Sequence, residues 1–236
     1  MRPVRRSRAF KAGFLALAAL DTYLSGSSHP RASTARRVTK PLLMPLLAAG
    51  SLTDPRGATT PIATSTTVAQ VAGWGGDVLL LGHSTEAFAA GAGSFGVGHL
   101  AYISGFRQLR RRNRRLIDAP VARAAAVLTL TVGPVVARGA AQEEPVLAPA
   151  VVGYMTLLAS MWAHAGNIDP ARGGRGRALS LAGASLFTAS DTMLGIRKFV
   201  WTDAPDRLES AVMATYTLGQ FLLSEGALAL ADPVSG

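Results

Sequence analysis

Residues 183–199 read GASLFTASDTMLGIRKF, a run of small and apolar side chains with Asp191 in its middle. Residues 73–82, GWGGDVLLLG, repeat the arrangement around Asp77. Both stretches have the composition of a membrane span or a packed helix, and both carry a carboxylate where neither tolerates one cheaply. On insertion scales an ionisable side chain at mid-bilayer costs about 2.5–3.5 kcal/mol, and such residues mark partners or functional sites. How many such helices the chain holds, and what the two acids do there, decide its reading.

Composition narrows the class. Of 236 residues 49% are hydrophobic and 16% charged, against roughly 25% charged in an ordinary soluble domain, and the mean hydropathy is +0.27. With no cysteine, disulfides and thiolate metal sites are excluded. His29, His83, His99 and His164 have no zinc-like spacing, so neither metal nor cofactor is expected. The net charge of +10 sits in clusters such as MRPVRRSRAFK and RQLRRRNRRL, between apolar runs. That is the placement of cytoplasmic membrane flanks, and it argues against nucleic acid. The basic start followed by AFKAGFLALAALDTYLSG looks like a signal peptide, but Asp21 interrupts it and no small-x-small cleavage site follows. It reads as a retained first helix.

A span needs about 20 mostly apolar residues. Eight segments qualify: Phe10–Ser27, Val38–Leu52, Ile62–Gly82, Glu86–Phe106, Ala119–Val136, Val146–Ala165, Ala178–Phe199 and Leu208–Leu230. The expected fold is therefore all-α, a single polytopic transmembrane domain over 1–236 with a basic cytoplasmic tail at 1–9. Pro41 and Pro45 fall near the start of the short second span, where proline is best tolerated. Most lysines and arginines lie in the N-tail and near Arg56, Arg107–Arg115 and Arg172–Arg177, which places both termini in the cytoplasm, as in a bacterial plasma membrane. Helices three and seven then run the same way with Asp77 and Asp191 at similar depth, suggesting two parallel four-helix halves.

The polar residues inside the spans form a short set: Lys40, Asp77, His99, Tyr102, Tyr154, Asp191, Tyr216 and Gln220. His99 and Tyr102 share a helix face, as do Tyr216 and Gln220, and one polar pocket can hold them all. Each has a plainer alternative. Lys40 can snorkel to headgroups, His99 can make a helix–helix hydrogen bond, and Tyr102 and Tyr154 can belong to interfacial belts. The glycine-rich AGAGSFGVGHLAYISGF reads as close helix packing, and RRRNRR as a topology determinant on anionic lipid.

The motifs KPLLMPLL (40–47), GDVLLL (76–81), EAFAAGAGSFGVGHLAYISGF (86–106), YMTLLASM (154–161), GASLFTASDTMLGIRKF (183–199) and TYTLGQFLL (215–223) follow in this order. Together they resemble the YhhN-like family, whose animal members are lysoplasmalogenases. The family pattern falls on Lys40 and Pro41, on Gly76 and Asp77, on Gly91, Phe95, His99 and Tyr102, and on Gly183, Ala184, Phe187, Ser190 and Asp191. Thr215–Tyr216 stands where members often carry a tyrosine pair, and Gln220 is retained. The resemblance implies an integral-membrane hydrolase that cleaves the vinyl ether bond of lysoplasmalogen or a related lysolipid. It implies a lysophospholipid substrate, membrane lipids as surroundings, and no cofactor.

Vinyl ether hydrolysis wants one acid to protonate the distal vinyl carbon and one carboxylate to face the resulting cation and take a proton from water. Paired carboxylates divide labour in this way in glycosidases. Asp77 and Asp191 fit as the catalytic pair, with either in either role. Lys40, His99, Tyr102, Tyr154, Ser190, Tyr216 and Gln220 would support substrate or water. The rival is a transporter or channel in which the same acids relay protons or bind cations; discontinuous helices would favour it. A structural protein without activity is a third reading, against which the intact acid pair argues.

Overall fold

A computed structural model describes residues 3–82 and 84–230; His83 and the C-terminal tail lie outside them. Among the described residues there are eight long helices and no strand: α1 (Pro3–Ser25), α2 (Pro30–Leu52), α3 (Ala63–Leu79), α4 (Thr85–Gln108), α5 (Pro120–Glu143), α6 (Leu147–Gly166), α7 (Gly174–Phe199) and α8 (Asp206–Ala229). Their starts follow local chemistry. Pro30 and Pro120 occupy first turns, where a missing N–H costs nothing. The Ser84 hydroxyl accepts from the Ala87 amide at the head of α4.

Three elements differ from expectation. The basic tail is helical from Pro3, so Arg5, Arg6 and Arg8 form the first turns of α1. α5 runs on to Glu143, beyond the expected end at Val136. α2 begins at Pro30, eight residues before Val38, which leaves Pro41 and Pro45 inside it. Each proline withholds one i→i−4 hydrogen bond, yet α2 is continuous through both. Packing of its Leu43, Met44 and Leu47, all fully buried, holds the helix where local propensity would end it.

Consecutive helices pair as four hairpins, α1/α2, α3/α4, α5/α6 and α7/α8. α8 also packs on α1, α4 on α6, and α7 on both α5 and α6. No comparable packing of α4 on α5 mirrors that of α8 on α1, so the two halves do not pack alike. α7 and α8 approach each other closely along their length. A Cβ on Gly183 would stand 2.7 Å from the Leu223 amide nitrogen and 2.8 Å from the Gly219 carbonyl oxygen, and one on Gly226 2.7 Å from the Ser180 amide nitrogen. Only glycine lets these backbones touch.

The interior holds buried polar side chains among apolar ones, and apolar side chains also cover much of the outside. Lys40, Gln70, Asp77, His99 and Gln220 are buried, while Leu20, Leu42, Val71, Leu100, Leu130 and Leu218 are exposed on six different helices. Three helices, Pro120–Glu143, Leu147–Gly166 and Gly174–Phe199, are long and apolar enough to cross a membrane, where eight spans were expected. Among the others, α2 carries the charged Arg36, Arg37 and Lys40, and α3 has only 17 residues.

One end of the bundle bears the N-terminus and the arginine-rich connections, and there an ionic knot ties α1 to α2 and α8. Lys11 Nζ lies 2.8 Å from Asp54 Oδ2 and 2.6 Å from Glu225 Oε1. Arg56 donates to both Asp54 oxygens, Nε to Oδ1 at 3.0 Å and Nη2 to Oδ2 at 2.9 Å. Burial works to raise the Asp54 pKa, but the hydrogen bonds from Arg56 and Lys11 outweigh it and hold the carboxyl well below its usual range.

Two predictions follow from this packing. Gly183→Ala lowers the thermal midpoint in detergent by an amount matching about 1–3 kcal/mol of overpacking, whereas Gly13→Ala, with nothing within 4 Å of the new Cβ, leaves it unchanged or raises it. For the knot, a carboxyl lowered in the folded state stabilises above its unfolded pKa of about 3.9 and loses that contribution as pH falls through the folded value. Stability therefore holds down to about pH 4 and declines in stronger acid. Asp54→Asn flattens that acid limb in pH-dependent thermal unfolding.

Candidate functional site

Asp77 lies near the C-terminal end of α3 and is 1% exposed. Its Oδ2 accepts from the Tyr216 hydroxyl of α8 at 2.8 Å. Its Oδ1 makes no hydrogen bond and stands 3.9 Å from Lys40 Nζ on α2. Lys40 is buried, so it pairs inward and does not snorkel. Gly76 before Asp77 leaves room for the Phe95 ring, which a Cβ would strike.

Asp191 on α7 has a different set of partners. Its Oδ2 accepts from the Tyr154 hydroxyl of α6, and His99 Nε2 of α4 lies 3.6 Å away. His99 Nε2 is also 3.1 Å from the Tyr154 oxygen. Because the Tyr154 proton goes to Asp191, that oxygen accepts from His99, which assigns the imidazole proton to Nε2. His99 Nδ1 then faces no partner. His99 thus makes the interhelical hydrogen bond that its plainer reading expected, and the Tyr154 hydroxyl is engaged by His99 and Asp191.

Aromatic rings separate the two acid clusters. The Phe187 ring packs edge-on against His99 at 5.0 Å and Tyr216 at 5.5 Å between centroids. Phe95 meets Phe187 at 6.0 Å and Tyr216 at 5.7 Å in the same manner. Tyr216 is thus held by one acid and two rings.

A polar cavity of about 850 Å³ is lined by Lys40, Asp77, Ser190, Asp191 and Tyr216. It lies toward the end of the bundle opposite the ionic knot, with Leu24, Ser84, Glu143 and Thr202 from the four hairpin connections or their flanks along its wall. An apolar groove of about 390 Å³ runs between α4 and α6, past Ala92, Gly96, Leu100 and Leu157. The two share Leu80, Phe88, Phe95, Leu194 and Phe199, and of ionisable side chains Asp191 alone. A polar chamber and an apolar slot therefore share one carboxylate.

A family model described as the YhhN family matches residues 35–227. The chain belongs to the YhhN family. No curated protein and no solved structure matches it. The match takes in every residue of the cavity floor and leaves α1 outside.

In this YhhN protein the expected single pocket is divided. His99, Tyr102 and Gln220 line neither space; the Tyr102 hydroxyl donates to Gln220 Oε1 at 3.2 Å, and all three are buried. Gln220 shares a helix face with Tyr216 as the spacing predicts, but one helical turn is about 5.4 Å, enough to carry it past the cavity. Ser190 borders the cavity, yet its hydroxyl donates to the Val212 carbonyl at 2.9 Å and fastens α7 to α8. Five ionisable lining residues escaped the sequence reading: Arg36, Glu143, Arg197, Lys198 and Glu209. Arg36 carried a signal, since it precedes Lys40 by one turn on the same face.

The Lys40–Asp77 pair is testable as a unit. Lys40→Gln and Asp77→Asn each destabilise the protein, and the double variant loses less than their sum, with a coupling of about 0.5–3 kcal/mol in a double-mutant cycle of thermal stability. Additive losses would show that the two side chains do not interact.

Proposed function

We propose that this YhhN protein is an integral-membrane hydrolase of eight spans that cleaves the vinyl ether bond of lysoplasmalogen, or of a closely related lysolipid. The observation that carries the proposal is the meeting of polar cavity and apolar groove at Asp191, with Asp77 in the same cavity. A single-chain lipid has that division of polarity, and its vinyl ether lies at the boundary between chain and headgroup. The exposed leucines and valines around buried polar side chains support the eight spans. Crowding of arginines at the knot end supports cytoplasmic termini and a cavity mouth facing the other side of a bacterial plasma membrane.

The chemistry uses two carboxyl groups. One of Asp77 and Asp191 gives its proton to the distal vinyl carbon, and the electron pair of the C=C bond forms the new C–H bond. The positive charge then rests on the carbon bearing oxygen and on that oxygen. The other acid, as a carboxylate, faces this cation and takes a proton from the water that adds to it. The resulting hemiacetal gives up its hydroxyl proton as the C–O bond to glycerol breaks, and the leaving oxygen takes a proton. The products are a fatty aldehyde and a glycerophospho-ethanolamine or -choline. Tyr154 and Tyr216 orient the two acids through the hydrogen bonds described above, and His99 orients Tyr154.

Continuity of α2 through Pro41 and Pro45 weighs against the transporter, which draws on interrupted helices at its binding site. The deciding measurement is aldehyde release from lysoplasmenylethanolamine by the purified protein in detergent. Asp77→Asn and Asp191→Asn are expected to lose about 100-fold or more of the rate at temperatures where each variant remains folded. A folded native protein that releases no aldehyde from this or related lysolipids would overturn the proposal.

A further inference from the structure

The cavity mouth carries a second constellation, built from residues outside the acid pair. Glu209, in the first turn of α8, holds two arginines apart: Oε1 is 3.4 Å from Arg36 Nη1 and Oε2 is 3.7 Å from Arg197 Nη1. Arg36 is held from its other side by Asp21, fully buried on α1, whose Oδ2 lies 3.4 Å from Arg36 Nε. Asp21 is in turn fixed by the Thr39 hydroxyl at 2.5 Å. Arg36 and Glu209 are largely buried, with side-chain exposures of 16% and 18%.

These contacts are loose. A charge-assisted N–H···O bond is about 2.7–2.9 Å long, and the distances around Glu209 exceed that by half an ångström or more. The Nε atoms of Arg36 and Arg197 are both buried and make no hydrogen bond. The two guanidinium groups share Glu209 between them and meet Asp21 and Asp206 (Arg197 Nη2–Asp206 Oδ1 3.9 Å) only at long range, so both keep donors to spare. Such an arrangement fits an oxyanion larger than a carboxylate, with oxygens on more than one side.

We propose that Arg36 and Arg197 form a phosphate-binding gate at the cavity mouth, with Glu209 as the internal anion that the phosphate displaces. The ligand is a phosphate ester, and on the lysolipid reading above, on which its source rests, it is the headgroup phosphate of a lysophospholipid. Spacing supports this. Arg36 stands one turn of α2, about 5.4 Å, before Lys40, and a glycerol unit between phosphate and vinyl ether spans a similar length. The gate then fixes the headgroup, and the glycerol reaches the acid pair.

The test measures binding without turnover. Thermal midpoints of the purified protein in uncharged detergent are titrated with a non-cleavable 1-O-alkyl lysophosphoethanolamine, with the matching 1-O-alkylglycerol, and with inorganic phosphate. The lysophospholipid is expected to bind at least about tenfold more tightly than the alkylglycerol, a preference typical of one charge-assisted contact set. Arg36→Gln should abolish that preference while leaving alkylglycerol affinity unchanged. Glu209→Gln, which frees both arginines, should tighten the lysophospholipid, an effect no folding defect produces. Protection by millimolar phosphate equal to that of the lipid, and lost in Arg36→Gln, would assign the gate to free phosphate. Equal affinity for the two lipids in the native protein, or no gain in Glu209→Gln, would overturn it. Because none of these ligands is cleaved, failure of the hydrolase assay leaves the result intact.

Discussion

The close approach of α7 and α8 is the constraint on which the rest of the structure depends. Gly183 and Gly219 bring the two backbones into contact, and the functional side chains are measured off from that point. Asp191 stands two turns along α7 from Gly183, and Tyr216 nearly one turn before Gly219 on α8. Ser190 closes the same seam with a hydrogen bond to the Val212 carbonyl. Widening the seam would draw Tyr216 away from Asp77 and move Asp191 relative to both cavities at once. Small residues thus do more here than permit association, because they set the register between two acids carried on different helices.

Burial of charge is possible because every acid in the cavity has a donor aimed at it. Asp77 has Tyr216 and Lys40, and Asp191 has Tyr154 with His99 behind it. In a low-dielectric interior an unpaired carboxylate would protonate or open the fold. The tyrosines satisfy one oxygen of each acid, and the other oxygen of Asp77 is buried facing Lys40 without a hydrogen bond. The phenylalanine pair, Phe95 and Phe187, keeps the two hydrogen-bonded groups from merging into one network.

Much of this was legible in the sequence, and the reasons for the exceptions are physical. Asp77, Asp191, Lys40 and Tyr216 stood out because polar residues in apolar runs have few cheap explanations. The same criterion drew His99 and Tyr154 into the set. Pro41 and Pro45 misled because a local rule about proline yields to tertiary packing around Leu43, Met44 and Leu47. Gln220 was placed on the correct face, but sequence spacing does not say how far along a helix the cavity extends. Arg36, Arg197 and Glu209 passed unnoticed because charges near helix ends ordinarily read as topology signals or solvated surface. That α1 belongs to the core was visible only as an acid, Asp21, in an apolar run.

The boundary between polar cavity and apolar groove also acts as a ruler. A ligand with one wet and one oily end settles where its own boundary matches that of the protein, much as a surfactant finds an oil–water surface. Its position is then set from the headgroup inward, and the far end of the chain has no say in it. Chains of different length would present the same bond to Asp191, whereas adding or removing one atom between headgroup and chain would shift every atom out of register. Selectivity of that kind is strict about linkage and indifferent to tail.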